Sequence, residues 1–594
     1  MKNLKQFIKA NFIYIATFCC IFIAIEMMRV PTSYSTIVRI LTQSPSQYPI
    51  DEVLVQLLVV IGDSLVLSLP ALFVNKKIWP LYVWILLISA GCNMQVLYFR
   101  EYQDFMPITH FLLFNNVNGI LLKSAAATVQ ARDIIFYLPL AVFIVSTKIL
   151  KRKKAIGKPS LNKKTLIPVS FIFLIAACAI SNINVSKYDK RGDRSLLYNF
   201  IAPNNNTYFI TNNGVVTYFF YSAISSLPSW GISEEEKTEI NDFINGRKDY
   251  HDNTYAVNGK KNLIMIVVES FNSWHLNRTV CGMEIMPNLN RMLKEKGTVS
   301  ALKVLPQVKD GRSSDGQFIC NTGLLPLKMG SVAVSYSGNE FPSIAKALKR
   351  HGYGTYNMMC DDAKCWSQGK LSDALGYDKL YDCYTYGSGE LLADSVMLGN
   401  ALKELKQYRQ PFLMQLVTIS THLPGYAPQN PTRLSDYDGN QSIVYTLEDF
   451  HLLDKALGNF IKGLKDSGIY DNSVVIIVSD HDEVGLNEFE KREERIPSDR
   501  YCTFIALNTT QTLSYDKVIG QVDIYPTILD IMGCNDYYWK GLGHSIFRKP
   551  QPDCATHCVG MEAGNPQSPL LDYYRRAWDI STLIIRGNYF KDNN

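Results

Sequence analysis

Five long apolar runs occupy the first third of the chain, at Phe12–Met27, Val53–Val74, Trp79–Phe99, Ile134–Leu150 and Leu166–Ile183. Each is near the length a helix needs to cross the hydrocarbon of a bilayer. The first has the look of a signal peptide, but no small-residue cleavage site follows it and further spans do. From Asn262 onward the pattern changes. Short β-branched runs alternate with segments of helical periodicity such as Pro287–Lys296, Phe341–His351 and Tyr445–Leu464. Continuous apolar strands of this kind are buried on both faces of a sheet. Their alternation with helices predicts an α/β domain, with a largely parallel central sheet covered on both sides. The chain thus divides into a five-helix transmembrane domain (1–186), a connector (187–261) and a catalytic-sized α/β domain (262–594). The connector carries an aromatic patch, Val216–Tyr221, suited either to a membrane surface or to packing on the α/β domain, and an acidic helix start at Ser233.

Charge orients these parts. Lys2, Lys5 and Lys9 precede the first span, Lys76 and Lys77 separate the second from the third, and Lys148–Lys164 holds eight basic residues and no acid. These are alternate loops, so all three can be cytoplasmic, which puts everything after Ile183 outside. The net charge of +6 is largely this topology signal and gives no reason to invoke nucleic acid. Asp63 lies inside the second span; an intramembrane carboxylate is a functional candidate, and a helix–helix hydrogen bond explains it equally well. The outer loop Glu101–Arg132 is half apolar and reads as an interfacial, re-entrant or surface helix. Nine of the thirteen cysteines lie in the external part, where an oxidising compartment permits disulfides. The close pairs Cys360/Cys365 and Cys554/Cys558 are the expected bridges.

Three of the buried runs end in chemistry. Asn262–Val268 stops at Glu269, Phe412–Val417 leads to His422, and Val474–Val478 runs into Asp480-His481-Asp482-Glu483. Ligands of open α/β sheets sit at the carboxyl ends of the strands, so these groups should meet at one edge. Carboxylate oxygens with imidazole nitrogens suit one borderline divalent ion, zinc or manganese. Between the first strand and the next apolar segment stands Asp310-Gly-Arg-Ser-Ser-Asp-Gly-Gln-Phe318. This glycine-flanked turn opening a helix reads either as a plain helix cap or as a phosphate site. In the second case a serine beside the metal becomes a nucleophile at neutral pH and Arg312 neutralises a phosphate oxygen.

The order of Glu269, GRSSDGQF, STHLPG and SDH resembles the alkaline phosphatase–sulfatase superfamily. More closely it is similar to the membrane-anchored lipoteichoic acid synthases and phosphoethanolamine transferases, which share five spans and an external catalytic domain. YDNSVVIIVSDH, YTLEDFHLLDKALGNFIKGL and QVDIYPTILDIMG support the likeness along essentially the whole chain. It implies an alkaline phosphatase-like fold, with Ser313 as nucleophile where a threonine is usual, and Glu269, Asp480 and His481 as the remaining metal ligands. His422 matches a substrate-binding or leaving-group histidine, and Trp366 a substrate-contacting tryptophan. Two departures bear on the donor: Gln368, a substrate-binding position by the same likeness as Trp366 and His422, stands where the lipoteichoic acid synthases have an arginine, and Glu488–Arg500 lacks the second histidine of the phosphoethanolamine enzymes. Cys360/Cys365 resembles a disulfide of the latter. No C/S-x-P-x-R tract lies near Ser313, which argues against sulfate ester hydrolysis.

The expected function is transfer of an alcohol-phosphate headgroup, phosphoethanolamine or glycerophosphate, from a membrane phospholipid donor to an envelope glycan or lipid acceptor. Ser313 would carry the phosphoryl group between the two, at the outer face of a bacterial cytoplasmic membrane. The alternatives are a phosphodiesterase using the same residues with water as acceptor, and a non-catalytic membrane scaffold.

Overall fold

The computed structural model describes residues 2–31, 35–42, 50–74, 77–102, 105–107, 128–153, 160–188, 206–225, 231–247, 261–387, 391–422, 428–438, 441–482, 501–558 and 560–591. Most of the apolar outer loop after Glu101, and the acidic stretch from Glu483 to Arg500, lie outside them. The chain forms two compact units that divide between Ser225 and Ser226.

The first unit is helical: α1 (Lys2–Arg29), α2 (Thr36–Thr42), α3 (Ile50–Leu67), α4 (Trp79–Tyr102), α5 (Leu138–Arg152), α6 (Lys163–Tyr188) and α7 (Asn206–Ser225). Among the described residues five segments are long and apolar enough to cross a membrane, Lys5–Arg29, Asp51–Phe73, Trp79–Arg100, Ala131–Arg152 and Lys163–Ile183. They contain the five runs read from the sequence, give or take a residue at one end. Helix α3 lies close on α6, where a side chain at Gly62 would press on Leu174; small residues at such crossings let two membrane helices approach. One turn of α7 is broken at Gly214, at a φ of +83°, which glycine tolerates at no steric cost. The orphan amides of the second half, Val215 and Val216, donate to the Asp63 carboxylate at 2.6 and 3.1 Å. Asp63 is 1% exposed, and its place inside a span is explained by this capping of a neighbouring helix. The aromatic patch of α7 also belongs to this unit: Tyr218 is fully buried beside Phe209 and reaches the Phe105 carbonyl.

The second unit opens with α8 (Glu234–Asn245) and is built on a nine-stranded sheet. Its strands are β1 (Asn262–Val268), β2 (Val299–Leu305), β3 (Gly354–Met359), β4 (Lys379–Tyr381), β5 (Phe412–Val417), β6 (Ser473–Ser479), β7 (Cys502–Leu507), β8 (Leu513–Tyr515) and β9 (Ile519–Gly520). Their order is β8-β2-β7-β6-β1-β5-β3-β4, with β9 also on β2. All pairings are parallel except those of β7, which runs against both β2 and β6. Because β6, β1 and β5 are immediate neighbours in register, their three carboxyl ends open side by side. Along β1 every residue is buried, but successive side chains enter different cores: Leu263, Met265 and Val267 join one, Ile264, Ile266 and Val268 the other. The first core takes in the helices α9 (Arg312–Thr322), α12 (Ile524–Met532) and α13 (Leu571–Gly587); the second packs on α11 (Gln441–Asp466). Period-two alternation with an apolar residue at every position is what a strand sandwiched between helix layers requires.

Neither expected disulfide is present: all thirteen cysteines are free thiols. Cys360 continues β3, its amide donating to the Val417 carbonyl at 3.3 Å. That places its thiol inside the second core, donating to Asp394 at 3.4 Å, whereas Cys365 sits in a turn and its amide donates to the Asp362 carbonyl. Cys554 is buried on a short strand and Cys558 turns to the His557 ring at 3.7 Å. Proximity in sequence does not satisfy the tight geometry an S–S bond demands.

Candidate active site

Two of the three strand ends, those of β1 and β6, bring together a Glu–Asp–His cluster. Glu269, Asp480 and His481, 2%, 1% and 4% exposed, each offer a ligand atom within 4.8 Å of the others. His481 Nε2 lies 3.4 Å from Glu269 and 3.7 Å from Asp480. Its other nitrogen, Nδ1, is 2.7 Å from the Asp482 carbonyl, so the N–H faces that oxygen and the Nε2 lone pair faces the cluster. Asp480 Oδ1 accepts the amides of Ser270 and His481 at 2.8 and 2.7 Å, leaving Oδ2 for the cluster. Ser270 adopts a φ of +56° to deliver its amide, and its hydroxyl donates to Glu269 Oε1 at 2.8 Å. Thr418 and Thr421, at the end of β5, bind the amide and carbonyl of Glu269. Gln521 holds the Asp480 carbonyl at 2.7 Å. Ser270 and Gln521 were not among the residues singled out from sequence; Gln521 opens the QVDIYPTILDIMG segment, whose identity as a supporting motif was the available signal.

Ser313 joins this cluster from α9. Its hydroxyl donates to Glu269 Oε2 at 2.8 Å and lies 3.3 Å from His481 Nε2. The two glycines of the turn make this approach feasible: a side chain at Gly311 would collide with the Asp315 carboxylate, and one at Gly316 with the Asp480 backbone. Arg312 opens the helix at a φ of +43° and is half-buried. The helix-cap reading of the serines fails in detail. Gly311 is the residue at the cap, and Ser314 donates backwards to the Gly311 carbonyl at 2.7 Å and pairs with Ser331 at 3.0 Å.

Two buried carboxylates this close cannot both ionise unaided. Burial and the Glu269 charge push the Asp480 carboxyl well up. Glu269 is held down despite its own burial, because the His481 and His422 rings, when protonated in the cation-free site, favour its charged form. A site that keeps two acids, an imidazole lone pair and a hydroxyl directed at one point is matched by a divalent cation, which supplies the missing positive charge. His422 is half-buried five residues beyond β5, and its ring lies within electrostatic reach of Glu269 and Asp361. Trp366 is half-buried in the turn before helix α10 (Gln368–Ala374), with a φ of +49°. Gln368 is turned inward instead: it is 7% exposed and its carbonyl oxygen accepts from Gln317 at 2.6 Å.

Comparison with known proteins bears on both units. Residues 1–229 match the lipoteichoic acid synthase N-terminal domain family and residues 261–534 the sulfatase family. Lipoteichoic acid synthase 2 of Bacillus subtilis is 23% identical over 481 residues, covering 77% of this chain and 72% of that protein. A lipoteichoic acid synthase of Staphylococcus aureus is 25% identical over 512 residues, covering 82% and 77%. Among solved structures, the integral membrane lipooligosaccharide phosphoethanolamine transferase A of Neisseria meningitidis shares the fold, with a TM-score of 0.51 at 12% identity over 88% of this chain and 95% of that one.

Proposed function

We propose, from its match to the lipoteichoic acid synthase N-terminal domain family over residues 1–229 and to the sulfatase family over residues 261–534, that the chain is a membrane-anchored headgroup transferase working through Ser313. It takes phosphoethanolamine or glycerophosphate from a membrane phospholipid and passes it to an envelope glycan or lipid. The reading is carried by the Ser313 hydroxyl, 2.8 Å from Glu269 and 3.3 Å from His481 Nε2 at the mouth of the parallel strands.

In the first step Ser313 Oγ forms a bond to the donor phosphorus as the bond from phosphorus to the diacylglycerol oxygen breaks. The serine proton leaves along the hydrogen bond to Glu269, and His422 gives the departing diacylglycerol its proton. In the second step a hydroxyl of the acceptor forms a bond to phosphorus as the bond from phosphorus to Ser313 Oγ breaks; the acceptor's proton passes to His422, and the proton held by Glu269 returns to Ser313. Arg312 faces the phosphate oxygens, where a guanidinium offsets their charge. Glu269, Ser313, Asp480 and His481 would hold a zinc or manganese ion; when bound, such an ion stabilises charge on the oxygens around phosphorus and eases ionisation of the serine. Trp366 walls the headgroup. Gln368 offers no bidentate cation to a second phosphate, which favours a single headgroup over a polymer of glycerophosphate.

The test is mass spectrometry of the full-length protein after acid quenching in vesicles containing phosphatidylethanolamine and phosphatidylglycerol. The expected result is an adduct on the Ser313 peptide whose mass names the headgroup, and label that moves on to an acceptor. Absence of any adduct on that peptide would overturn the reading, and label released only to water would make the protein a phosphodiesterase.

Orientation supports the same chemistry, since a lipid donor and an envelope acceptor meet outside the cytoplasm. The basic loop Lys148–Lys164 is assigned to the cytoplasm and residues 262–594 to the outer face. Cys281 is an exposed thiol of the second unit and serves as a native reporter. A membrane-impermeant maleimide should label it in intact cells; protection until lysis would reverse the topology.

A further inference from the structure

Beneath the site lies a buried amide network that the headgroup chemistry does not use. Gln317, one turn along α9 from Ser313, donates from Nε2 to Gln368 Oε1 at 2.6 Å. Its own carbonyl accepts from Gln415 of β5 at 3.3 Å. Gln415 donates also to Asn357 of β3 at 3.1 Å, and its oxygen receives Asn321 at 2.7 Å and the Tyr377 hydroxyl at 3.1 Å. All six side chains are buried. They tie the nucleophile helix, two central strands and the start of α10 into one unit, and of these bonds only Gln317–Gln368 reaches the Trp366 turn.

That turn needs holding. Trp366 and Ser367 stand consecutively at φ of +49° and +53°, a conformation disfavoured for both side chains and kept only where the surroundings enforce it. Local bonds close the turn on itself, Ser367 to Lys364 at 3.1 Å and Gly369 to Ala363 at 2.7 Å. Gln368 fastens it to the helix bearing Ser313, while Asn357 of β3 holds the middle of α10 through Ser372 at 3.2 Å. A solvent-facing glutamine in this place would be a substrate contact; a buried one with its oxygen occupied is an anchor.

We propose that Gln317 and Gln368 are positioning residues that clamp the Trp366 turn onto the helix bearing Ser313, and so set where the donor headgroup rests against the nucleophile. This rests on the headgroup-transfer reading above. An amide pair suits the task because its bond is directional and, inside a core, leaving either partner unpaired is unfavourable.

The experiment is a double-mutant cycle on the full-length protein in vesicles, with Gln317→Met, Gln368→Met and both together, chosen because methionine keeps the length and roughly the volume of glutamine. Donor KM is expected to rise roughly three- to tenfold in each single variant, with kcat at saturating donor changed less. Gln317→Met strands the buried Gln368 oxygen and Gln368→Met strands the buried Gln317 amide, so each single variant leaves one partner unpaired. The double variant should be no worse than the poorer single variant, because neither partner is then stranded. Effects that multiply independently, or a KM that does not move while the melting temperature falls, would reduce the pair to core filling. The Ser313 adduct at saturating donor separates the two ideas. Its absence from the unaltered protein overturns headgroup transfer itself; its presence with an unchanged donor KM in the variants overturns only the clamp.

Discussion

Replacing Ser313 by alanine is expected to abolish the covalent adduct and lower headgroup transfer by on the order of 10⁴-fold or more, as loss of an activated nucleophile does where neighbouring groups act with it. The fold should survive. The hydroxyl removed makes one hydrogen bond to Glu269, worth about 1 kcal/mol net, and Glu269, Asp480 and His481 remain in place. Ser313→Thr keeps the hydroxyl and should retain measurable turnover. Ser314→Ala is the control, and the structure sharpens it. That hydroxyl is fully buried between the Gly311 carbonyl and Ser331, so its loss should cost about 1–3 kcal/mol of stability with turnover changed far less. Initial rates with a fluorescent lipid, beside thermal melts of the same samples, decide the matter. An active Ser313→Ala with a dead Ser314→Ala would shift the nucleophile by one position, and two fully active variants would end the serine mechanism.

The parts of this site that could be read from the chain are those encoded locally. A β-branched run ending in a charged residue announces both a buried strand and a group at its carboxyl end, and that is how Glu269, His422 and Asp480-His481 were found. The spans were legible for a similar reason, since a bilayer imposes its length on a contiguous stretch. What escaped depends on pairing across distance. Asp63 could be seen as anomalous, but not that its partners are the amides of Val215 and Val216, some one hundred and fifty positions later. The aromatic patch of α7 was equally compatible with two environments until its burial against Phe105 and Phe209 placed it within the helical unit. Gln368 was read as a substrate contact because the residue it replaces is one; its inward turn follows from Gln317, Gln415 and Asn357, three polar residues that no periodicity marks as neighbours. The cysteines failed for a related reason. Spacing says nothing of which way two side chains point, and Cys360 follows the alternation of β3 into the core.

The same local geometry makes the candidate metal site separately testable. In protein stripped of cations, Asp480 sits beside the Glu269 charge in a buried site, which raises its carboxyl well above the ordinary range. For an acid raised on folding, the native state binds the extra proton, so stability falls as pH climbs from the unfolded value toward the raised one. A divalent cation removes that loss by pairing both carboxylates, and its binding must displace the proton. The melting temperature of chelated protein should therefore drop between acidic and neutral pH, while added zinc or manganese restores it with an effect that grows as pH rises. At one hundred times its Kd a bound ion contributes about 2.7 kcal/mol. Asp480→Asn is the informative variant. Its carbonyl oxygen can still accept the Ser270 and His481 amides, and a neutral amide cannot repel Glu269. The chelated variant should hold its melting temperature across that pH range, lose the response to added cation, retain no metal by elemental analysis, and transfer headgroup at least on the order of 10³-fold more slowly. A variant that still bound one equivalent of metal with the same pH-dependent stabilisation would move the cation elsewhere, and leave the Glu269–Asp480–His481 cluster as a proton-sharing structural pair with a histidine beside it.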